Sequence, residues 1–113
     1  MEKLKAPSAL HRLTIDSIDT ISETIGVYVV AYMGRIVYVG KSADSIHERL
    51  RGHLTRSLCE SLGSWLQTMY ADWGNIRLDV LAPPDDDDGS WIAEAEARLI
   101  QRFTPLFNVQ LQP

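Results

Sequence analysis

Between Gly26 and Leu54 the chain sets two apolar, β-branched and aromatic runs, GVYVVAY and RIVYVG, on either side of Met33-Gly34-Arg35. Such runs around a glycine-containing break predict a β-hairpin. A helix should follow, because Ser45 and Glu48 form a capping-box pattern and Ile46, Leu50 and Leu54 recur at helical spacing. A second helix is expected from Ser64 to about Trp73, through Trp65, Leu66 and Met69. The alternating segment NIRLDVL, 75–81, predicts a third strand. PPDDDDG breaks the chain, Ser90 is placed to cap a last helix, WIAEAEARLIQRF, and Pro105 ends it. The first 25 residues, through LHRLTIDSIDTISETI, carry no clear period. Neither an internal repeat nor an interdomain linker interrupts this order.

A chain of 113 residues is expected to form one domain, 1–113. At that size it should bury roughly two thirds of its unfolded surface, enough for a core without metal or disulfide staples. An apolar content of 45% with 23% charged residues argues against disorder. The single Cys59 cannot close an intramolecular disulfide, no apolar run is long enough to span a bilayer, and no signal-peptide pattern follows Met1. A soluble, intracellular (cytoplasmic) protein with no membrane partner is the expectation.

The net charge of −4 taken alone speaks against a nucleic-acid binder. Its distribution changes that picture. From Arg35 to Arg56 five basic residues (Arg35, Lys41, Arg49, Arg51, Arg56) face two acids, Asp44 and Glu48. From Asp72 to Glu96 eight acids accompany the lone Arg77. A basic side and an acidic side are therefore expected, and a polyanion could approach the former. The run Asp85-Asp86-Asp87-Asp88 reads as a solvated loop, since side chains adjacent in sequence cannot all converge on one ion.

Three sets of residues raise chemical questions. On the last helix, Ile92, Leu99, Ile100 and Phe103 form an apolar arc, with Glu94, Arg98 and Gln101 opposite. Glu96 falls inside the arc, where a carboxylate must be paired, protonated or bound to a cation. Arg49 and His53, four residues apart, share a helix face at the border of the Ile46/Leu50/Leu54 stripe. That face is either a solvated edge or an arginine on a phosphate with a histidine beside it. In the hairpin, a two-residue loop would send Tyr28 and Tyr38 to opposite faces. With the three-residue loop Met33-Gly34-Arg35, Tyr28 faces Gly40, Val30 faces Tyr38, and both rings share one face. The glycine then leaves room beside the Tyr28 ring.

Taken together these positions resemble the GIY-YIG nuclease family. Gly26-Val27-Tyr28 stands where that family has GIY, and Tyr38-Val39-Gly40 where it has YIG. Lys41, then Arg49-Leu50 with His53, match its RL helix and following histidine. Glu96-Ala97-Arg98-Leu99-Ile100, Pro105 and Asn108 match its E-x-x-L-I, P and N ending. The resemblance covers about Gly26 to Val109. Between Gly40 and Arg49 the chain is about one residue longer than many members.

The resemblance implies an α/β (α+β) domain, a small three-stranded antiparallel sheet flanked by helices, with a core at 26–109 behind an N-terminal lead-in at 1–25. It also implies a divalent-metal-dependent endonuclease that hydrolyses one phosphodiester bond per active site in DNA, with RNA left open, in repair, restriction or recombination. Glu96 would be the metal ligand for a single Mg²⁺ or Mn²⁺, with water and a phosphate oxygen completing the shell. Tyr38 or Tyr28 would orient or deprotonate the attacking water, helped by Lys41 and Arg49 as cationic neighbours. Arg49 would stabilise the scissile phosphate, and His53 would assist proton transfer or hold a phosphate. Lys41, Arg49, Arg51 and Arg56 would meet the nucleic acid. Asn108 would stand with them, fixing the local backbone or the hydrogen bonding of the site. Cutting two strands needs two active sites or two visits, which leaves room for a homodimer or a partner protein that supplies specificity. Two other readings remain: a non-catalytic nucleic-acid-binding module on the same fold, and a protein-interaction domain using the acidic Asp85–Asp88 side.

Overall fold

The two apolar runs pair as an antiparallel hairpin, β2 (Gly26–Tyr32) and β3 (Arg35–Ser42), in a computed structural model that describes residues 5–20, 25–42, 61–85 and 89–108. The expected helix around Ile46, Leu50 and Leu54, with Arg49, Arg51, His53 and Arg56, and the acids Asp86–Asp88 lie outside the described residues. β4 (Ile76–Ala82) is the alternating segment, displaced by one residue from its expected bounds. It pairs antiparallel with the other side of β2.

The sheet has four strands, not three, in the order β1-β4-β2-β3. The extra strand, β1 (Ala9–Thr14), comes from the lead-in and runs antiparallel to β4 from Ala9 opposite Ala82 to Thr14 opposite Arg77. As an edge strand it buries little of either face, so ALHRLT carries no strict alternation; backbone pairing to β4 makes it a strand. A 3₁₀ segment, Ile15–Thr20, follows it and buries Ile15.

The hairpin loop is also shorter than expected. Only Met33 and Gly34 form the turn, both with positive φ (53° and 78°), as the tight two-residue hairpin turn requires. The register is restored by a β-bulge: Val30 pairs with Tyr38 but Ala31 pairs with Ile36, leaving Val37 as the additional residue. Tyr28 consequently faces Gly40 and Val30 faces Tyr38, the pairing that places both rings on one face.

Each face of the sheet carries its own core. On one, Tyr28, Val30, Val37, Tyr38, Leu78 and Val80 pack with Leu62 and Leu66 of α1 (Ser61–Thr68). Burial of those two leucines contributes about 2 kcal/mol each. α1 ends five residues before the expected Trp73, and a 3₁₀ segment, Tyr70–Asn75, completes the connection. The tighter turn lets the Trp73 indole donate to the Leu66 carbonyl at 2.7 Å. On the other face, α2 (Trp91–Phe103) lays Trp91, Ile92 and Ala95 on Val27, Val29 and Val39, with Leu99 and Ile100 at the margin. Phe103, expected in that arc, is instead 43% exposed at the helix end. Ser90 occupies the N-cap position without a side-chain capping bond. No helix among the described residues is long and apolar enough to cross a membrane.

β3 is a sheet edge, and its outward backbone groups are closed by the segment after α2. The Asn108 amide accepts from Val39 N–H at 2.8 Å and donates to Val39 O at 2.9 Å. Phe107 N–H donates to the carbonyl of the bulged Val37 at 2.9 Å. Asn108→Ala orphans both Val39 groups in a buried setting and should cost about 2–4 kcal/mol. In urea this appears as a lower midpoint at unchanged m; a loss under about 1 kcal/mol would mean that water replaces the amide.

Tyr32 donates its hydroxyl to Asp72 at 2.9 Å, tying the hairpin to the 3₁₀ segment. That hydrogen bond, then desolvation, then the carboxylate charge raise the tyrosine pKa above its ordinary 10.0. A raised folded pKa gives stability that is full below the unfolded value and lost as pH climbs through the folded one. The stability gap between wild type and Tyr32→Phe should therefore be flat from neutral pH to about 10 and shrink above it. A gap that widens in alkali would contradict the assignment.

Candidate active site

Two pairs of the sequence-selected residues meet, one on each face of β3. Tyr28 and Tyr38 lie on the α1 face with ring centroids 6.0 Å apart and planes tilted by 36°. Tyr28 is completely buried and Tyr38 is 9% exposed. Lys41 points the other way, opposite Val27, and its ammonium approaches the Glu96 carboxylate on α2 at 3.5 Å. Strand alternation causes this separation: residues 38 and 40 face α1, while 39 and 41 face α2.

Glu96 is held by the helix itself. One turn after Ile92 and one before Ile100, it stands at the border of the face that α2 presses onto the sheet, with 22% of its side chain exposed. Of the three resolutions open to a carboxylate in that arc, the structure adopts pairing, with Lys41. At partial exposure such a pair is worth about 0–1 kcal/mol, so it does little to stabilise the fold and leaves the carboxylate reachable. Glu94, by contrast, turns outward and takes a 2.8 Å ion pair from Arg98 on the exposed side.

Gly40 explains how the tyrosine pair fits. A Cβ there would run into the Tyr28 ring and hydroxyl, so the phenol end fills the space that the glycine leaves beside β3. That hydroxyl is one residue along the strand from Lys41. Asn108, 3% exposed, completes the neighbourhood by gripping Val39 between Tyr38 and Gly40. Its bonds go to backbone, which fixes where it stands.

Among the described residues no group of three or more His, Cys, Asp or Glu side chains converges as a metal cage. A lone, reachable carboxylate does suit Mg²⁺ or Mn²⁺ of the kind that keeps most of its water and takes one or two protein carboxylates together with phosphate oxygens.

No protein-family model matches the chain, and no curated protein matches it in sequence. Solved structures do match. Three are of the GIY-YIG N-terminal endonuclease domain of UvrC from Thermotoga maritima, each a point mutant bound to a catalytic divalent cation. Two replace a tyrosine by phenylalanine; they are 20% and 22% identical, cover 82% of this chain and 91% of theirs, and give TM-scores of 0.60. The third replaces an asparagine by alanine, at 21% identity, 81% and 90% coverage and a TM-score of 0.59.

The chain has the GIY-YIG fold. Within that fold it brings together Tyr28 with Tyr38 and Lys41 with Glu96, and sets Asn108 on the strand between them. Sequence reasoning missed Asp79, whose Oδ1 is buried without a hydrogen-bond partner among the described residues while the other oxygen lies 3.7 Å from Arg77. Its signal was available, an aspartate inside an alternating strand.

The contact between Gly40 and Tyr28 in this GIY-YIG fold is directly testable. Gly40→Ala should overpack the site and cost about 1–3 kcal/mol. Tyr28→Phe removes one of the atoms in collision, so the double variant should be more stable than the sum of the single changes. Strict additivity in a double-mutant cycle would show that the two side chains do not compete for that space.

Proposed function

We propose that the chain is an endonuclease that hydrolyses phosphodiester bonds in DNA with one divalent cation, Mg²⁺ or Mn²⁺, held at Glu96. The observation that carries this reading is the solvent-reachable Lys41–Glu96 pair, on the face of β3 opposite a buried tyrosine pair, on a fold shared with an endonuclease domain solved with its catalytic divalent cation. When bound, such a cation supplies Lewis-acid polarisation of a phosphoryl oxygen.

The chain's own groups have distinct tasks in this scheme. Glu96 binds, and Lys41, its partner at 3.5 Å, turns toward the phosphate as charge develops there. Tyr38, the less buried of the two rings, orients or deprotonates the attacking water, and Tyr28, fully buried, positions it. Arg49 stabilises the scissile phosphate, and His53 assists proton transfer or holds a phosphate. Arg51 and Arg56 add backbone contacts. Asn108 acts by holding β3 in place.

DNA repair, restriction or recombination in an intracellular setting is the biology this chemistry serves. Residues 1–113 are taken as one domain around the 26–109 core, and a homodimer or a partner protein would provide a second cut or the specificity. The second reading, a nucleic-acid-binding module without turnover, draws on the full burial of Tyr28 and on the placement of the tyrosines and Glu96 on opposite faces of the sheet.

Cleavage of labelled DNAs at low salt with Mg²⁺, Mn²⁺ or EDTA separates the two. Metal-dependent cutting by wild type should fall about 100-fold or more in Glu96→Gln, with the circular dichroism spectrum unchanged. Salt-sensitive binding by both proteins with no cutting by either would instead establish the non-catalytic module.

A further inference from the structure

A second feature of the α2 face lies away from the Lys41–Glu96 pair. Where the hairpin turn meets the end of α2, a cleft of about 490 Å³ is lined by Ala31, Arg35, Ile36, Arg77, Phe103 and Leu106, among others. Among the described residues its wall has two arginines and no acid, in a chain whose net charge is −4. Arg35 forms no ion pair among the described residues, and Arg77 reaches Asp79 only at 3.7 Å, too long for a hydrogen bond. The apolar part of the rim is uncovered: Phe103 is 43% and Leu106 65% exposed, and the guanidinium of Arg102 lies 5.5 Å from the Phe103 ring centroid.

The backbone is also unusual at this point. Met33 and Thr104 are the two non-glycine residues with positive φ among the described residues, at 53° and 40°. One is the turn residue next to Gly34, the other the C-cap of α2, and both Gly34 and Thr104 line the cleft. Left-handed backbone is unfavourable for a branched threonine and tends to persist where function holds it.

The geometry points to this cleft as a docking site for the strand that enters the proposed active site, with Arg35 and Arg77 on phosphate and Phe103 under a base. The inference rests on the nuclease reading. Three observations favour a nucleic-acid strand. The lining is cationic, with no acid among the described residues, which selects an anion. An exposed aromatic ring beside guanidinium groups is the combination that holds unpaired bases. Finally, Phe103 follows Glu96 by seven residues, so both lie on one stripe of α2, about 10 Å apart along the axis. A few nucleotides of unpaired strand would therefore span from the carboxylate to the cleft.

The test uses the full chain carrying Glu96→Gln, which keeps the substrate intact, and follows binding of a labelled single-stranded oligonucleotide in EDTA as salt is raised. Adding Phe103→Ala should weaken binding about 5-fold or more. Adding Arg35→Gln should weaken it and lower the slope of log K against log salt by about 0.7, and Arg35→Lys should restore that slope. Both side chains are exposed, so circular dichroism should not change. Unaltered affinity and slope in both variants, while wild type cuts DNA, would overturn the docking site and leave the nuclease reading standing. Absence of both binding and cutting in wild type would overturn the two together. Concentration-dependent dimers in ultracentrifugation that dissociate in Phe103→Ala, with oligonucleotide affinity unchanged, would reassign the cleft to a second copy of the chain.

Discussion

The carboxamide of Asn108 donates to and accepts from the same residue, Val39, across 69 positions of sequence. An edge strand cannot leave its outward N–H and C=O groups buried and unanswered, and one asparagine side chain presents the donor and acceptor that a neighbouring strand would otherwise supply. This contact fixes the end of the chain segment that begins with α2. With Asn108 on Val39 and Phe107 N–H on Val37 O, the turn after Pro105 has one position against β3, and so does the helix leading into it. The approach of Glu96 to Lys41 depends on that placement, as does the packing of Trp91, Ile92 and Ala95 on the valines of β2 and β3.

β3 separates two kinds of chemistry. Its even positions, Tyr38 and Gly40, face a closed core, where Tyr28 of β2 is fully buried against the glycine. Its odd positions carry an ammonium to a reachable carboxylate. Because β3 is the outermost strand, the two faces are one residue apart in sequence and join around its edge rather than across the sheet.

The hairpin, the last strand and α2 were legible because each declares itself locally: runs of β-branched residues, period-two alternation, and an apolar arc ended by a proline. The odd position of Glu96 was legible for the same reason, since helical geometry alone sets it among isoleucines. What escaped was non-local. β1 is a strand because β4 offers it a ladder, and little in ALHRLT announces this. The bulge at Val37 was invisible because a three-residue loop and a two-residue loop with a bulge give the same partners for the tyrosines. α1 stops early at Thr68 because the Trp73 indole needs the Leu66 carbonyl, a tertiary demand that propensity does not encode. Phe103 was expected inside by period, but the sheet ends before the helix does.

The bulge also bears on how this chain can change over evolutionary time. A hairpin has a parity, and this one carries two irregularities, a short turn and one surplus residue in β3. Val37 has no partner of its own in β2, so losing it, or adding a residue to the turn, would leave Tyr28 opposite Gly40 and Val30 opposite Tyr38; only a slip within the paired stretch would send a tyrosine to the other face. The bulge and the turn are therefore the two places where this hairpin can gain or lose a residue without disturbing the paired tyrosines, which makes them its tolerant joints over evolutionary time.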